Sequence, residues 1–311
     1  MVNPHDFDEN SAWNFYCVTK ETLESMAKSR GISDLEKYYH PTDSVFSNLY
    51  NHDELSQVFC QLAFHAQNAT MISPIVKFLD NQPFLETVLC NFNPNAFLAQ
   101  YDIHGTDEEN VHGIVEALRF NEQTGVGLRW SSEKSKEENK DRIMKSYAKA
   151  LLFGARYIRR FSSKSAIVQD LSKRPTKQRK NIPAGQYKPI IEYFKKQIPS
   201  RFSVALTCDF LKELDAVFSD LPKPDVHIKD TLIALKKEGT GYYNTGSRGD
   251  YCCIEDMQRL TAAINAHLRT NGEPEITVYR LDRMIWLICS ENFYLDTERA
   301  KSSYLKRVAT L

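Results

Sequence analysis

The 311-residue chain has no apolar run long enough to span a bilayer, no Cys-x-x-Cys pair, no internal repeat and almost no alternation of apolar and polar residues. Each absence excludes something. A spanning helix needs roughly 18 or more consecutive apolar residues, and residues 1–9 (MVNPHDFDE) are acidic where a secretory leader is basic and then greasy, so a cytoplasmic location is expected. The seven cysteines, at 17, 60, 90, 208, 252, 253 and 289, are odd in number and mostly embedded in apolar helical patterns. With no four-cysteine cluster, neither a zinc site nor an iron–sulfur cluster is expected, and the chain is read as needing no metal or cofactor. The missing alternation, apart from a weak hint at 124–130, leaves a mostly α protein.

What is present is enough apolar material, 42% of residues, to build a sizeable core, and a charge distribution that the net value hides. Forty Lys and Arg balance forty Asp and Glu. Between 141 and 200, however, fifteen cations stand against three acids (Asp141, Asp170 and Glu192), a surplus of +12 that the rest of the chain must offset. A basic segment on an acidic body attracts a polyanion to one face and discourages coating elsewhere. The bland reading is that these are solvated helix faces.

Apolar periodicity predicts helices at 19–29 after a Thr19 cap, at 53–66, and in a series over 71–97 broken by Asn81 and Pro83. The segment 141–161 is the most periodic, with Ile143, Tyr147, Ala150, Leu151, Ala155 and Ile158 on one face. Arg142, Lys145, Lys149, Arg156, Arg159 and Arg160 lie on the other. A polar stretch at 131–140 and a basic linker at 172–181 read as mobile. Helices at 187–197 and about 205–214, joined by a short turn, must run back along each other. Further helices are expected at 225–236, 254–268 and 278–289, with 290–295 closing the fold. The simplest organisation is a single α-rich domain in which an acidic N-terminal helical region over 1–140 is part of, or packed on, the region over 141–311.

Residues 221–230 (LPKPDVHIKD) place a single acid, Asp225, at the mouth of an apolar helix, about twenty residues after the turn at 200–205 (SRFSVA). Pro224 pre-sets the backbone, and Asp225 suits an N-cap for the helix that follows. This hairpin followed by an acid in a Pro-x-Asp-x-His-like setting resembles the helix-hairpin-helix DNA glycosylase superfamily, over 141–295. The resemblance implies a phosphate held at the turn by Ser200, Arg201 and Ser203, and a catalytic carboxylate, Asp225, near the sugar of a flipped nucleotide. His227, Lys229 and the basic residues Arg156, Arg159 and Arg160 would contact DNA, and Tyr242 and Tyr243 would stack on the extruded base. The sequence departs from the family in two ways. Neither hairpin glycine is present, and Leu206 stands where bifunctional members carry a Schiff-base lysine. The second departure implies a monofunctional enzyme that leaves an abasic site, with Lys212 and Lys229 the only amines able to overturn it.

The implied partner is double-stranded DNA carrying a modified base, bound by a monomer associated with the nucleoid. Hypermodified phage bases such as glucosylated 5-hydroxymethylcytosine, in antiviral defence, rank level with alkylated or oxidised bases in repair. Two other readings stand beside the enzyme. One is a non-catalytic helix-hairpin-helix DNA-binding module, in which Asp225 only caps its helix. The other is an RNA-binding helical protein, which accounts for the basic helix but not for Asp225. Trp286 is read as core, and Asp282 as a surface neighbour of Arg280 or Arg283.

Overall fold

A computed structural model describes residues 7–39, 53–67, 82–119, 123, 127–128, 137–173, 187–236, 241–290 and 298–310. The chain is mostly α, as expected: α1 (Glu9–Ser29), α2 (Glu36–Tyr39), α3 (Glu54–Gln67), α4 (Gln82–Val88), α5 (Pro94–Tyr101), α6 (Asp107–Leu118), α7 (Glu137–Ile158), α8 (Lys164–Ser172), α9 (Tyr187–Gln197), α10 (Val204–Leu214), α11 (Val226–Lys236), α12 (Ser247–Thr270), α13 (Val278–Cys289) and α14 (Glu298–Ala309). Among the described residues there is no strand, only one isolated bridge between Arg119 and Leu128. Most of the alternating hint at 124–130 lies outside the described residues, as do 131–136, the basic linker from 174 onward and the segment 291–295. No helix among the described residues is long and apolar enough to cross a membrane.

Helix starts follow their caps. Asp8 accepts from the Ser11 amide, Asn93 from those of Asn95 and Ala96, Ser163 from Ala166 and Thr277 from Arg280, each such cap contributing about 0.5–2 kcal/mol. The Asp8 cap corrects the expected start at Thr19. That threonine sits buried in the middle of α1, where its hydroxyl bonds the Phe15 carbonyl at 2.8 Å and the Tyr304 hydroxyl at 2.9 Å. A mid-helix Thr is tolerated because the i−4 carbonyl takes its proton.

Two compact units interleave along the chain. The first comprises Met1–Ser44, Lys177–Lys188 and Leu211–Leu311, the second Val45–Thr176 and Pro189–Phe210. This differs from a division at residue 140, which falls inside α7. In the first unit, α1 packs on α12, α13 and α14, and its Ala12, Phe15 and Leu23 join a core with Met257, Leu260, Ile264, Leu281 and Ile285. Gly249, in the first turn of α12, lies so close to residue 243 that a Cβ there would sit 2.1 Å from the Tyr243 carbonyl oxygen. Only glycine fits that approach.

In the second unit, α7 is the central helix, contacted by α3, α5 and α6. A Cβ on Gly154 would come within 2.6 Å of the Leu62 side chain, so the missing side chain is what brings α3 down onto α7. Before α5 the backbone runs left-handed through Cys90, Asn91 and Phe92, at φ 53°, 55° and 56°. Outside glycine this conformation costs roughly 1–2 kcal/mol per residue, and the fully buried Phe92 ring offsets part of it.

Candidate nucleic-acid interface

The turn at 198–203 between α9 and α10 belongs to the second unit. Arg201 takes φ 68°, a conformation glycine adopts without strain. Buried side chains hold it in place of the absent glycines. Arg201 Nε donates to the Ala66 carbonyl at 3.1 Å, and Phe202 is buried against Phe194 and Phe210, with ring centroids 5.2 and 6.0 Å away. Burial pulls the Arg201 guanidinium below its ordinary pKa. Arg201 therefore shapes the turn, which corrects its expected role as an open phosphate donor.

The two serines also have structural tasks. The Ser200 hydroxyl donates to the Ser146 carbonyl at 2.8 Å and lies 2.9 Å from the Ser146 hydroxyl. Ser203 caps α10, its Oγ accepting from the Leu206 amide at 3.3 Å and its carbonyl from the Thr207 amide at 2.9 Å. Phe202 and Ser203 spend their amides inside the turn. In the first turn of α10, the amides of Val204 and Ala205 are left without an acceptor among the described residues.

Two hollows flank this turn, and both reach Pro199 and Ser200. One, of about 650 Å³, is lined by Asp141, Arg142, Lys145, Ser146 and Lys149 of α7. The other, of about 640 Å³, is lined by Glu192, Lys195 and Lys196 of α9 together with Ile198 and 201–203. Arg142, Lys145 and Lys149 are exposed, and none has an acidic partner among the described residues. Lys196 is likewise exposed and has no acidic partner among the described residues, whereas Lys195 lies 3.2 Å from Glu192. Lys195 and Lys196, counted in the sequence only as part of a charge surplus, thus join Lys145 and Lys149 of the basic helix face around the turn.

The far end of α7 behaves differently. Arg156 forks onto Asp102 at 2.6 and 2.9 Å and reaches Asp107 at 2.8 Å. This corrects its assignment to DNA. The Arg156 guanidinium holds the Asp102 carboxyl below the usual carboxylate range, so the pair's contribution is present at neutral pH and lost as the pH falls below about 4. Arg156→Gln is expected to cost about 1–3 kcal/mol in urea unfolding at pH 7 and less at pH 3. Nucleic-acid affinity measured on the same variant should stay unchanged. Arg160 stacks over Tyr157, 4.6 Å from its centroid, while Arg159 is exposed.

Asp225 belongs to the first unit. Its Oδ1 accepts from the amides of His227 at 2.9 Å and Ile228 at 3.2 Å, so the cap read from the sequence is realised at the start of α11. Its Oδ2 takes no hydrogen bond among the described residues. Lys229, one turn on, is held by Asp250 at 2.5 Å, which corrects its reading as a phosphate contact. His227 is half-buried beside the cap.

Behind this segment lies a polar pair absent from the sequence reading. Asp282 on α13 is buried, not a surface neighbour of arginines, and its Oδ2 accepts from Lys212 Nζ at 2.6 Å and from the Lys223 amide at 2.9 Å. Burial pushes the Asp282 carboxyl up, and the Lys212 charge pulls it back. A signal existed: Asp282 stands four residues after Val278 and three before Ile285, on the buried face of its helix. Lys212 and Lys229, the two suspected amines, are both paired with carboxylates.

Tyr243 is fully buried and its hydroxyl donates to Asp256 at 2.6 Å, so no ring face remains for a base, which corrects that assignment. Tyr242 is half-buried with its ring edge-on to Tyr243 at 4.7 Å. Trp286 is half-buried under the Arg283 guanidinium, 4.5 Å from its centroid. No cluster of three or more metal-ligating side chains occurs among the described residues. No family model, curated protein or solved structure matches the chain.

Proposed function

We propose that this protein binds the phosphate backbone of DNA at the hairpin turn of its second unit. The observation that carries the reading is the pair of basic hollows beside Pro199 and Ser200, in which Arg142, Lys145, Lys149 and Lys196 have no acidic partner among the described residues. Charge-assisted N–H···O bonds to phosphate position a protein on nucleic acid without reading sequence, and the open amides of Val204 and Ala205 add donors at a helix start. The test is affinity as a function of salt. Each phosphate neutralised steepens the fall of log affinity with log salt by about 0.9. Arg142→Glu and Lys149→Glu should weaken binding to all sequences alike and flatten that slope. Binding that ignores salt, or variants that bind as the parent does, would refute the reading.

A second reading, base excision, is favoured by the geometry of Asp225, which caps α11 with one oxygen and keeps the other open. Cleaving an N-glycosidic bond builds positive charge on the sugar, and a carboxylate near it stabilises that charge and orients the attacking water. In this reading the protein is a monofunctional DNA glycosylase of the helix-hairpin-helix kind. Lys212 and Lys229 are each engaged by a carboxylate, Asp282 and Asp250, so neither amine is placed to form a Schiff base. Its substrates are hypermodified phage cytosine or alkylated and oxidised bases.

A further inference from the structure

We propose that Arg283 binds a small oxyanion, a carboxylate or phosphate carried at the tip of a molecule, on the face of α13 turned to α2. All the residues involved belong to the first unit. Arg283 is 9% exposed, and a guanidinium keeps its charge at any pH a folded protein meets. A charge so covered calls for a counter-charge. Arg283 has no ion pair among the described residues, and the carboxylates of the two helices are spent: Glu36 on Arg280 at 2.6 and 3.1 Å, Asp282 on Lys212.

What holds the guanidinium leaves its charge unmatched. Nη2 donates to the Tyr38 carbonyl at 3.2 Å, and the Trp286 ring lies against the group with its centroid 4.5 Å away. Both attract a cation, and neither neutralises it. Because Trp286 covers one face, further acceptors approach in the guanidinium plane, where Nη2 alone is engaged among the described residues. A carboxylate or phosphate takes two N–H groups at once in that plane.

The same face of α13 carries other donors. Arg280 Nε, Arg283 Nε and the Ser290 hydroxyl are shielded from solvent and have no hydrogen-bond partner among the described residues. Their spacing puts the three on one stripe of the helix. Shielded donors without acceptors, beside a positive charge without a counter-charge, select a ligand that only accepts and is negative. Water would meet the N–H groups and leave the charge. With Nε sealed and so little of the residue exposed, the ligand enters end-on.

The experiment follows the melting temperature of the full chain while sodium chloride is replaced stepwise by sodium phosphate or by sodium acetate at constant ionic strength. Arg283→Met removes the charge, Arg283→Lys keeps it without the planar fork, and circular dichroism in chloride checks that each folds. The parent's melting temperature should climb with the logarithm of oxyanion concentration, as for a ligand bound by the native state alone. Arg283→Met should show no such climb, and Arg283→Lys should need about tenfold more oxyanion for the same rise. The steeper of the two parent responses identifies the ligand as phosphate or carboxylate. If neither oxyanion stabilises the parent beyond chloride, the proposal fails. It fails equally if Arg283→Met, or Arg283→Lys should the methionine variant not fold, gains as much as the parent, because the effect is then a general action of the salt.

Discussion

Asp225→Asn is expected to reduce base release from modified duplex DNA by roughly 10²–10⁴-fold, the usual contribution of a group acting in the transition state. The substitution separates two tasks. The asparagine carbonyl still accepts from the His227 and Ile228 amides, and Asn caps a helix about as well as Asp, so α11 and the melting temperature should hold. The lost negative charge matters only while the sugar is cationic, so duplex affinity should stay nearly constant. Alkali-labile sites in phage DNA carrying modified cytosine, and in alkylated or oxidised duplex, provide the measurement. Borohydride should trap no covalent adduct. Retention of more than about a tenth of the parent activity would remove Asp225 from the chemistry. A parent protein that releases no base from any of these DNAs would reduce the molecule to a binding module.

Lys212→Met should destabilise the protein by about 3–5 kcal/mol, because it strands a buried carboxylate without its counter-charge. Both side chains are at most 2% exposed, and the 2.6 Å contact has little water to share its field. The pair with both charges removed, Lys212→Met with Asp282→Leu, should recover most of that loss, since apolar groups of similar size avoid the desolvation cost of both ions. The recovery should be incomplete by about 1–2 kcal/mol, because the Lys223 amide also loses its acceptor. Urea unfolding of the two single variants and the double variant gives the coupling energy directly. A single-variant cost below about 1 kcal/mol would show that water reaches the pair.

Much of the helical architecture was legible because a strong 3.6-residue apolar period needs no knowledge of the partner. The bounds of α9 and α13 were read as they stand, and α10 and α11 to within about a residue. What failed to show was whatever depends on a distant segment. Arg156 looks like its neighbours on α7 until Asp102 and Asp107 are brought beside it. Tyr243 looks like a loop aromatic until α12 covers it and Asp256 takes its hydroxyl. The stretch that became α14 carries a thin apolar stripe, of which Tyr304 and Val308 are buried, too little to stand out without α1 and α11 against it. Around the turn at 198–203, the excess of cations over 141–200 was visible, but not which of them lack an acidic partner among the described residues, since local sequence does not show where the acids end up.

The order in which α1 and its partners leave the ribosome bears on how the protein is made. Phe15 and Leu23 are covered by helices that begin at residue 247 and later, and at ~5–20 residues per second synthesis leaves that apolar stripe exposed for roughly ten to forty seconds. The second unit draws on no residue beyond Phe210. All of its residues have been made while the first unit still waits for its C-terminal helices, so α1 keeps its apolar stripe uncovered through the synthesis of the whole second unit, the interval in which such a stripe is open to wrong partners.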